Sequence, residues 1–317
     1  MKRVAVVDIG SNAVRGTVAE VLGSTAMRVI ADERIRTRLA SGLLATGRLA
    51  EDRIAASLDA VGHMVALAST HGATAVRAVA TAAVRSADNG AEFIERVERE
   101  TGVAVEVIDG RREAELALAS AAANFDLSGR VCVADIGGGS LEVVLASDGS
   151  AETIVSLPLG AVTVTARFGS FADPPASPEI AQTRSAVRRE LEDALGPSPR
   201  PARLAVCSGG TITSLVGAAA ARTGASPLDV HGVTVPLGEI ETVAAEVAAL
   251  PIEERGSIPG IPPYRAETVL AGSLVMMELF DLLGTRTIAA NRRGIREGLL
   301  LEMAGLSTPA TPPEPDA

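Results

Sequence analysis

Two stretches of this chain end an apolar run on an Asp and follow it with Gly and small polar residues. The first, from Val4, carries Asp8-Ile9-Gly10-Ser11-Asn12, and the second, from Val131, carries Asp135-Ile136-Gly137-Gly138-Gly139-Ser140. A third run ends at Cys207 and continues Ser208-Gly209-Gly210-Thr211. A Gly-rich bend leaves backbone N–H groups without ladder partners, and the missing Cβ atoms let those groups converge on an anion. One such bend alone is ordinarily a tight hairpin turn. Three of them, two headed by an Asp and the third leading into a helix start, point to phosphate. The candidate phosphate ligands are Ser11, Asn12, Gly137, Gly138, Gly139, Ser140, Gly209, Gly210 and Thr211.

The acids suggest a metal. Asp8 and Asp135 are expected at strand ends, facing each other across the junction of two halves, with Glu142 on the strand returning from Ser140. Carboxylates, phosphate oxygens and water are the ligands that Mg²⁺ prefers, with Mn²⁺ as the other possibility. An isolated strand-end Asp more often caps a turn; the pairing of two weighs against that for Asp135. His63, His71 and His231 have no metal-ligand spacing, so oxygen donors are what remain.

These residues need strands to carry them. Val4, Val6, Val7 and Ile9 read as a buried strand, and Val14, Thr17, Val18 and Val21 as its returning partner, a hairpin with Asp8 at its bend. The turn opens a strand rather than a helix, which excludes a dinucleotide fingerprint. Helical spacing is expected over Glu51–Ala68, Ala91–Thr101 and Arg112–Ala123, with strands at Ala75–Ala80 and Val103–Ile108. Val131–Leu145 then repeats the opening design, the mark of a duplicated domain. Beyond it come helices over Glu179–Leu195, through Ala221, Leu237–Leu250, Arg265–Leu283 and Arg293–Met303, with strands at Leu204–Cys207 and Thr287–Ala290.

Composition narrows the function classes. With 317 residues, 47% of them hydrophobic, the chain can build two cores. A net charge of −10, no Trp and one Tyr argue against a nucleic-acid surface. No run approaches the roughly 18 apolar residues of a membrane span, so a soluble cytoplasmic protein is expected. Cys132 and Cys207 fall inside strands, as core thiols do.

The Asp-Ile-Gly-Ser-Asn and Asp-Ile-Gly-Gly-Gly-Ser pair resembles the actin-like ATPase superfold. Further segments, in order over residues 1 to 305, resemble the exopolyphosphatase and guanosine pentaphosphate phosphohydrolase (Ppx/GppA) family: Ala80–Arg85 with Asn89, Ile108–Leu116, Ser156–Ala161, Cys207–Thr211, His231-Gly232, Ala271-Gly272 and Arg293–Gly298. The resemblance implies an α/β, duplicated actin-like (ribonuclease H-like) two-domain fold with mixed sheets and an interdomain cleft. Its domains would be 1–124 and 125–305, the last helix packing back on the first, followed by a disordered Pro-rich tail over 306–317.

The same resemblance places the water-activating carboxylate at Glu113, with Glu115 its competitor. Positions two apart on a helix point about 200° apart, so only one of them can face the site. It gives Arg85 a phosphate-binding role, for which a guanidinium fork is suited; Arg15 and Arg38 are weaker candidates. Arg112, Thr163 and Asn291 depart from the family pattern, which commonly has an acid, an Arg and a Ser there. The implied reaction is Mg²⁺-dependent hydrolysis of the terminal phosphate of inorganic polyphosphate, in a homodimer. Short chains should be favoured, because the additional C-terminal domain of longer members is not in this sequence. Guanosine pentaphosphate (pppGpp) is the alternative substrate, and an actin-fold small-molecule kinase or a non-catalytic nucleotide-binding protein the remaining readings.

Overall fold

The structure, a computed structural model, describes residues 2–306 apart from Ser24, Thr25 and 169–172. The expected Pro-rich tail lies, from Ser307 on, outside the described residues. The chain divides into two compact units: Met1–Ser120 with Ile295–Thr308, and Ala121–Gly294.

In the first unit β1 (Arg3–Ile9), β2 (Val14–Leu22) and β3 (Ala26–Ile35) are followed by the short helix α1 (Leu43–Thr46) and by α2 (Glu51–Thr70). Then come β4 (Ala75–Ala80), α3 (Ala82–Ser86), α4 (Gly90–Thr101), β5 (Val105–Val107) and α5 (Gly110–Asn124). The sheet order is β3-β2-β1-β4-β5. β1 runs antiparallel to β2 and parallel to β4, which makes the sheet mixed. Its two faces are covered separately, because side chains alternate along a strand. Val7 and Ile9 pack with Leu58, Val61 and Met64 of α2 and Phe93 and Val97 of α4. Val4 and Val6 pack instead with Ile108, Leu116, Leu299 and Leu300. Asp8 has the parity of Val4 and Val6 and so belongs to that second face.

The second unit repeats the scheme with β6 (Arg130–Ile136), β7 (Leu141–Ser147) and β8 (Ser150–Leu157), then α6 (Ala161–Phe168), α7 (Ser177–Leu195), β9 (Leu204–Gly209) and α8 (Gly210–Arg222). β10 (Thr234–Pro236), α9 (Leu237–Ala249), α10 (Ile252–Arg255), a 3₁₀ turn over Pro263–Arg265, α11 (Val269–Leu282) and β11 (Thr287–Asn291) complete it. The order is β10-β11-β9-β6-β7-β8, with β6, β9 and β11 parallel. Phe280, Leu274 and Leu279 of α11, Leu215 of α8 and Val187 of α7 form its core with Cys132 and Cys207.

The expected hairpin is present, but Asp8 lies inside β1 opposite Arg15 rather than at the bend. The bend is Gly10–Ala13, closed by the Gly10 N–H donating to Ala13 O at 3.1 Å. Gly137–Ser140 is a turn of the same length, closed at 3.0 Å, so the two copies align residue for residue. Sequence spacing places the domain limit at 124/125 and packs the last helix back on the first domain; the contacts divide within α5, after Ser120, and group α12 (Gly294–Ala304) from Ile295 on with the first unit. Leu299 and Leu300 explain that return, since the apolar surface they pack against is the Val4–Val6 face.

α5 and α12 cross so closely that a Cβ on Gly298 would stand 2.3 Å from the Leu116 carbonyl oxygen. Ser120 Oγ donates to Glu297 at 2.8 Å and Arg112 donates to both Glu302 oxygens at 2.6 Å across the same pair. Gly298→Ala should therefore destabilise by about 1–3 kcal/mol, the usual cost of overpacking, read as a lower urea midpoint, while Ala304→Gly at the helix end should cost less.

Candidate active site

The strand ends of the second unit carry a polar row across the sheet. Asn291, Ser208, Asp135, Glu142 and Ser156 are direct cross-strand neighbours on β11, β9, β6, β7 and β8. Asn291, Ser208 and Glu142 are buried. Glu142 accepts from Ser156 Oγ at 2.8 Å. The Asp135 carboxylate is flanked by glycine backbone: Cβ atoms added to Gly209 and Gly294 would each stand 3.1 Å from one of its oxygens. Both glycines have positive φ, 98° and 56°, a conformation L side chains rarely adopt. Ser208, Ser156 and Asn291 were not among the sequence candidates as ligands; the register that joins them is a property of the sheet.

The Gly137–Ser140 turn lies between Asp135 and Glu142 in the chain. Its three carbonyls accept bonds from the start of α6: Ala161 N–H to Gly137 O at 3.0 Å, Val162 and Thr163 N–H to Gly138 O at 2.9 and 3.1 Å, Gly160 N–H to Gly139 O at 3.4 Å. A trans peptide points its C=O and N–H in opposite directions. Fixing these carbonyls therefore turns the N–H groups of Gly138, Gly139 and Ser140 the other way, and among the described residues those groups make no backbone hydrogen bond. The packing requires glycine at 160, where a Cβ would meet Gly138 O, Gly139 C and Ser140 N at 2.4 Å.

β9 ends on Gly209, and α8 starts at Gly210. Thr211 is buried with its hydroxyl beside Gly272 of α11, so what it offers a ligand is its backbone N–H. The Arg265 guanidinium lies against the Gly210 Cα. It comes from a 3₁₀ turn some fifty residues further along the chain, and no sequence spacing links the two.

In the first unit the Gly10–Ala13 turn is held in the same manner. Ala40 N–H donates to Ser11 O at 2.9 Å and Arg38 N–H to Asn12 O at 3.1 Å, which turns the N–H groups of Asn12 and Ala13 outward. Arg38, proposed for its side chain, contributes its backbone here, at a φ of 53° that is uncommon outside glycine.

Arg85 closes α3, and its Nη1 donates to Ile108 O at 2.6 Å and to Glu113 Oε1 at 2.7 Å. Nε and Nη2 have no protein partner among the described residues. Glu113, in the first turn of α5, is buried, with its side chain 7% exposed. Glu115 points elsewhere and pairs with Arg111 at 3.1 Å and Arg112 at 3.8 Å. The two acids thus separate as helix geometry requires, and only Glu113 stands beside Arg85. Arg112, the departure from the acidic pattern, is engaged by Glu302 and Glu115.

Asp8 is partly buried. Desolvation raises its pKa above the ordinary carboxylate value, opposed by Arg15 and then Arg296. Arg296 itself is buried and donates to Thr17 Oγ1 and Asp32. An acid whose pKa is raised on folding costs stability once it ionises, so the cost is absent below the unfolded pKa and complete above the folded one. Asp8→Asn should therefore raise the urea midpoint at pH 7, and the gain should vanish below about pH 4; an equal gain at both pH values would exclude ionisation as its source.

The family model of the Ppx/GppA phosphatase family matches residues 17–307. The chain is 32% identical to exopolyphosphatase 2 of Mycobacterium tuberculosis over 96% of its own length and 99% of that protein. It is 30% identical to exopolyphosphatase 1 of Mycobacterium leprae, over 94% and 88%. Among solved structures, the Aquifex aeolicus Ppx/GppA family member superposes with a TM-score of 0.81 at 34% identity, covering 95% of this chain and 97% of that one. Two mixed sheets grown from the same Asp-headed hairpin, each with its carbonyl-anchored turn, are those of a duplicated actin-like protein, and this chain belongs to the Ppx/GppA phosphatase family.

Proposed function

We propose that this protein is an exopolyphosphatase, releasing the terminal phosphate of inorganic polyphosphate by hydrolysis. The observation that carries the reading is the Gly137–Ser140 turn, whose three carbonyls are held by the start of α6, a hold that directs the N–H groups of Gly138, Gly139 and Ser140 away from that helix; relatives that are themselves exopolyphosphatases support it. Oriented amides stabilise charge developing on phosphoryl oxygens without reorganising during the reaction. Gly210 and Thr211 add the N–H groups of a helix start, and Asn12 and Ala13 offer the equivalent amides of the first unit.

Glu113 takes the proton of the attacking water. Arg85 holds its carboxylate through Nη1, and Nε and Nη2 are the donors that suit a phosphoryl oxygen. Buried Glu113 keeps one orientation, which favours in-line attack, since catalysis of phosphoryl transfer is largely positioning and electrostatics.

A divalent ion fits the second unit. Among the described residues no group of three His, Cys, Asp or Glu side chains is gathered to hold one, but Asp135 and Glu142 are neighbours in the sheet. Mg²⁺ is typically bound by one or two carboxylates together with substrate phosphates and water. Asp135 and Glu142 would hold Mg²⁺ or Mn²⁺; Asp8 stands beside Arg15 and Arg296, whose charges disfavour a cation. When bound, the ion neutralises phosphate oxygens.

No helix among the described residues is long and apolar enough to cross a membrane. Burial pushes the Cys132 thiol up to about 12 and raises that of Cys207, inert core thiols compatible with the cytoplasm we propose for it.

Side-by-side phosphate release from short polyphosphate, long polyphosphate, guanosine pentaphosphate and ATP tests the assignment; polyphosphate should give the highest kcat/KM, and a preference for guanosine pentaphosphate would replace it. EDTA should abolish release and Mg²⁺ restore it. Glu113→Gln should lower kcat by about 10²- to 10⁴-fold with KM nearly unchanged, whereas Glu115→Gln should leave both alone. Arg85→Ala should lower kcat and raise KM together, because the same guanidinium orients Glu113 and faces the phosphate.

A further inference from the structure

We infer that Thr163 is a positioning residue for the reaction: its hydroxyl sets the direction of the Ser140 amide. The inference rests on the reading that the Gly137–Ser140 turn holds a phosphate.

The first turn of a helix has N–H groups with no partner inside the helix, and they are normally met by a cap side chain, by water or by a ligand. In α6 they are met by the carbonyls of the phosphate turn itself. Gly137 O takes one donor, Ala161, and Gly138 O takes two, Val162 and Thr163. Gly139 O is the least well served by backbone, since its only main-chain donor among the described residues is Gly160 N–H at 3.4 Å, near the limit of a useful bond.

Thr163 Oγ1 supplies what is missing, donating to Gly139 O at 2.9 Å. This oxygen belongs to the Gly139–Ser140 peptide, so anchoring it turns the Ser140 N–H to the opposite side, in line with those of Gly138 and Gly139. Gly139, on one side of that peptide, has no Cβ to restrict its rotation. The hydroxyl is thus the shorter of the two bonds that hold the third amide in line for a bound anion, beside the long one from Gly160 N–H. Among the described residues the partly buried Thr163 side chain makes this hydrogen bond alone, and its N–H is already engaged by Gly138 O.

The test compares Thr163→Val, which keeps the branched shape and loses the donor, with Thr163→Ser, which keeps the donor. For each, KM and kcat on short polyphosphate, the Ki of inorganic phosphate as product inhibitor, and the melting temperature are measured. In Thr163→Val, KM and Ki should rise together by about 3- to 10-fold, the effect of one neutral hydrogen bond, and Thr163→Ser should restore both to within about twofold of the parent. A residue that only braces the fold would lower the melting temperature and leave KM and Ki where they were; that result, or a Ser variant indistinguishable from Val, overturns the inference and leaves the exopolyphosphatase reading standing. Failure of the parent protein to release phosphate from polyphosphate would overturn the reading, and the inference with it.

Discussion

The carbonyl oxygens of Gly137, Gly138 and Gly139 are the groups on which the second unit turns. A glycine-rich bend left to itself samples many peptide orientations, and its amides would meet an anion only by chance. Here the N–H groups at the start of α6 take those carbonyls, so the helix loses its usual need for a cap and the bend loses its freedom in one exchange. Much follows from that. Gly160 must lack a side chain for the helix to approach. The strands β6 and β7 must run to the edges of the turn, which places Asp135 and Glu142 side by side.

The first unit applies the same rule with different parts. Its turn carbonyls are held by Arg38 and Ala40, in the segment after β3 rather than at a helix start, and the left-handed conformation of Arg38 is the local cost of reaching them. Duplication thus preserved the turn and its length while the anchoring segment diverged. What faces Asp8 and Asp135 diverged as well. Asp135 has Glu142 opposite on the returning strand, and Asp8 has Arg15. One copy sets two acids side by side, and the other sets an acid beside a base.

Glu113 illustrates how burial and pairing work together. A carboxylate so enclosed needs a compensating charge, since an unpaired buried charge is expensive, and Arg85 supplies it from the end of α3 at 2.7 Å. The pair fixes the acid's orientation, and the bond from Arg85 to Ile108 O ties α3 to the loop before α5. α5 in turn is braced by α12 through Gly298, Glu297 and Glu302. The position of the proposed base therefore depends on a helix near the far end of the chain.

Local sequence determined a great deal here. Short, nearly continuous apolar runs mark β1, β4, β6 and β9 almost to the residue, because a strand covered on both faces of its sheet buries successive side chains and neighbours in sequence suffice to define it. The repeated Asp-Ile-Gly motif identified the turns, and helix periodicity already separated Glu113 from Glu115. Tertiary structure alone decided three other things. The polar row from Asn291 to Ser156 exists through strand register, which joins residues far apart in sequence. Arg265 reaches Gly210, and Thr163 reaches Gly139, across loops whose closure no motif encodes. The short helices α1, α3, α6 and α10 have no periodicity in the sequence that marks them, since a helix of one or two turns owes its stability to such contacts rather than to its own propensity. Sequence specified which groups are candidates to hold a phosphate, a matter of residue type; the direction in which those groups point came from partners that only the folded chain brings within a hydrogen bond.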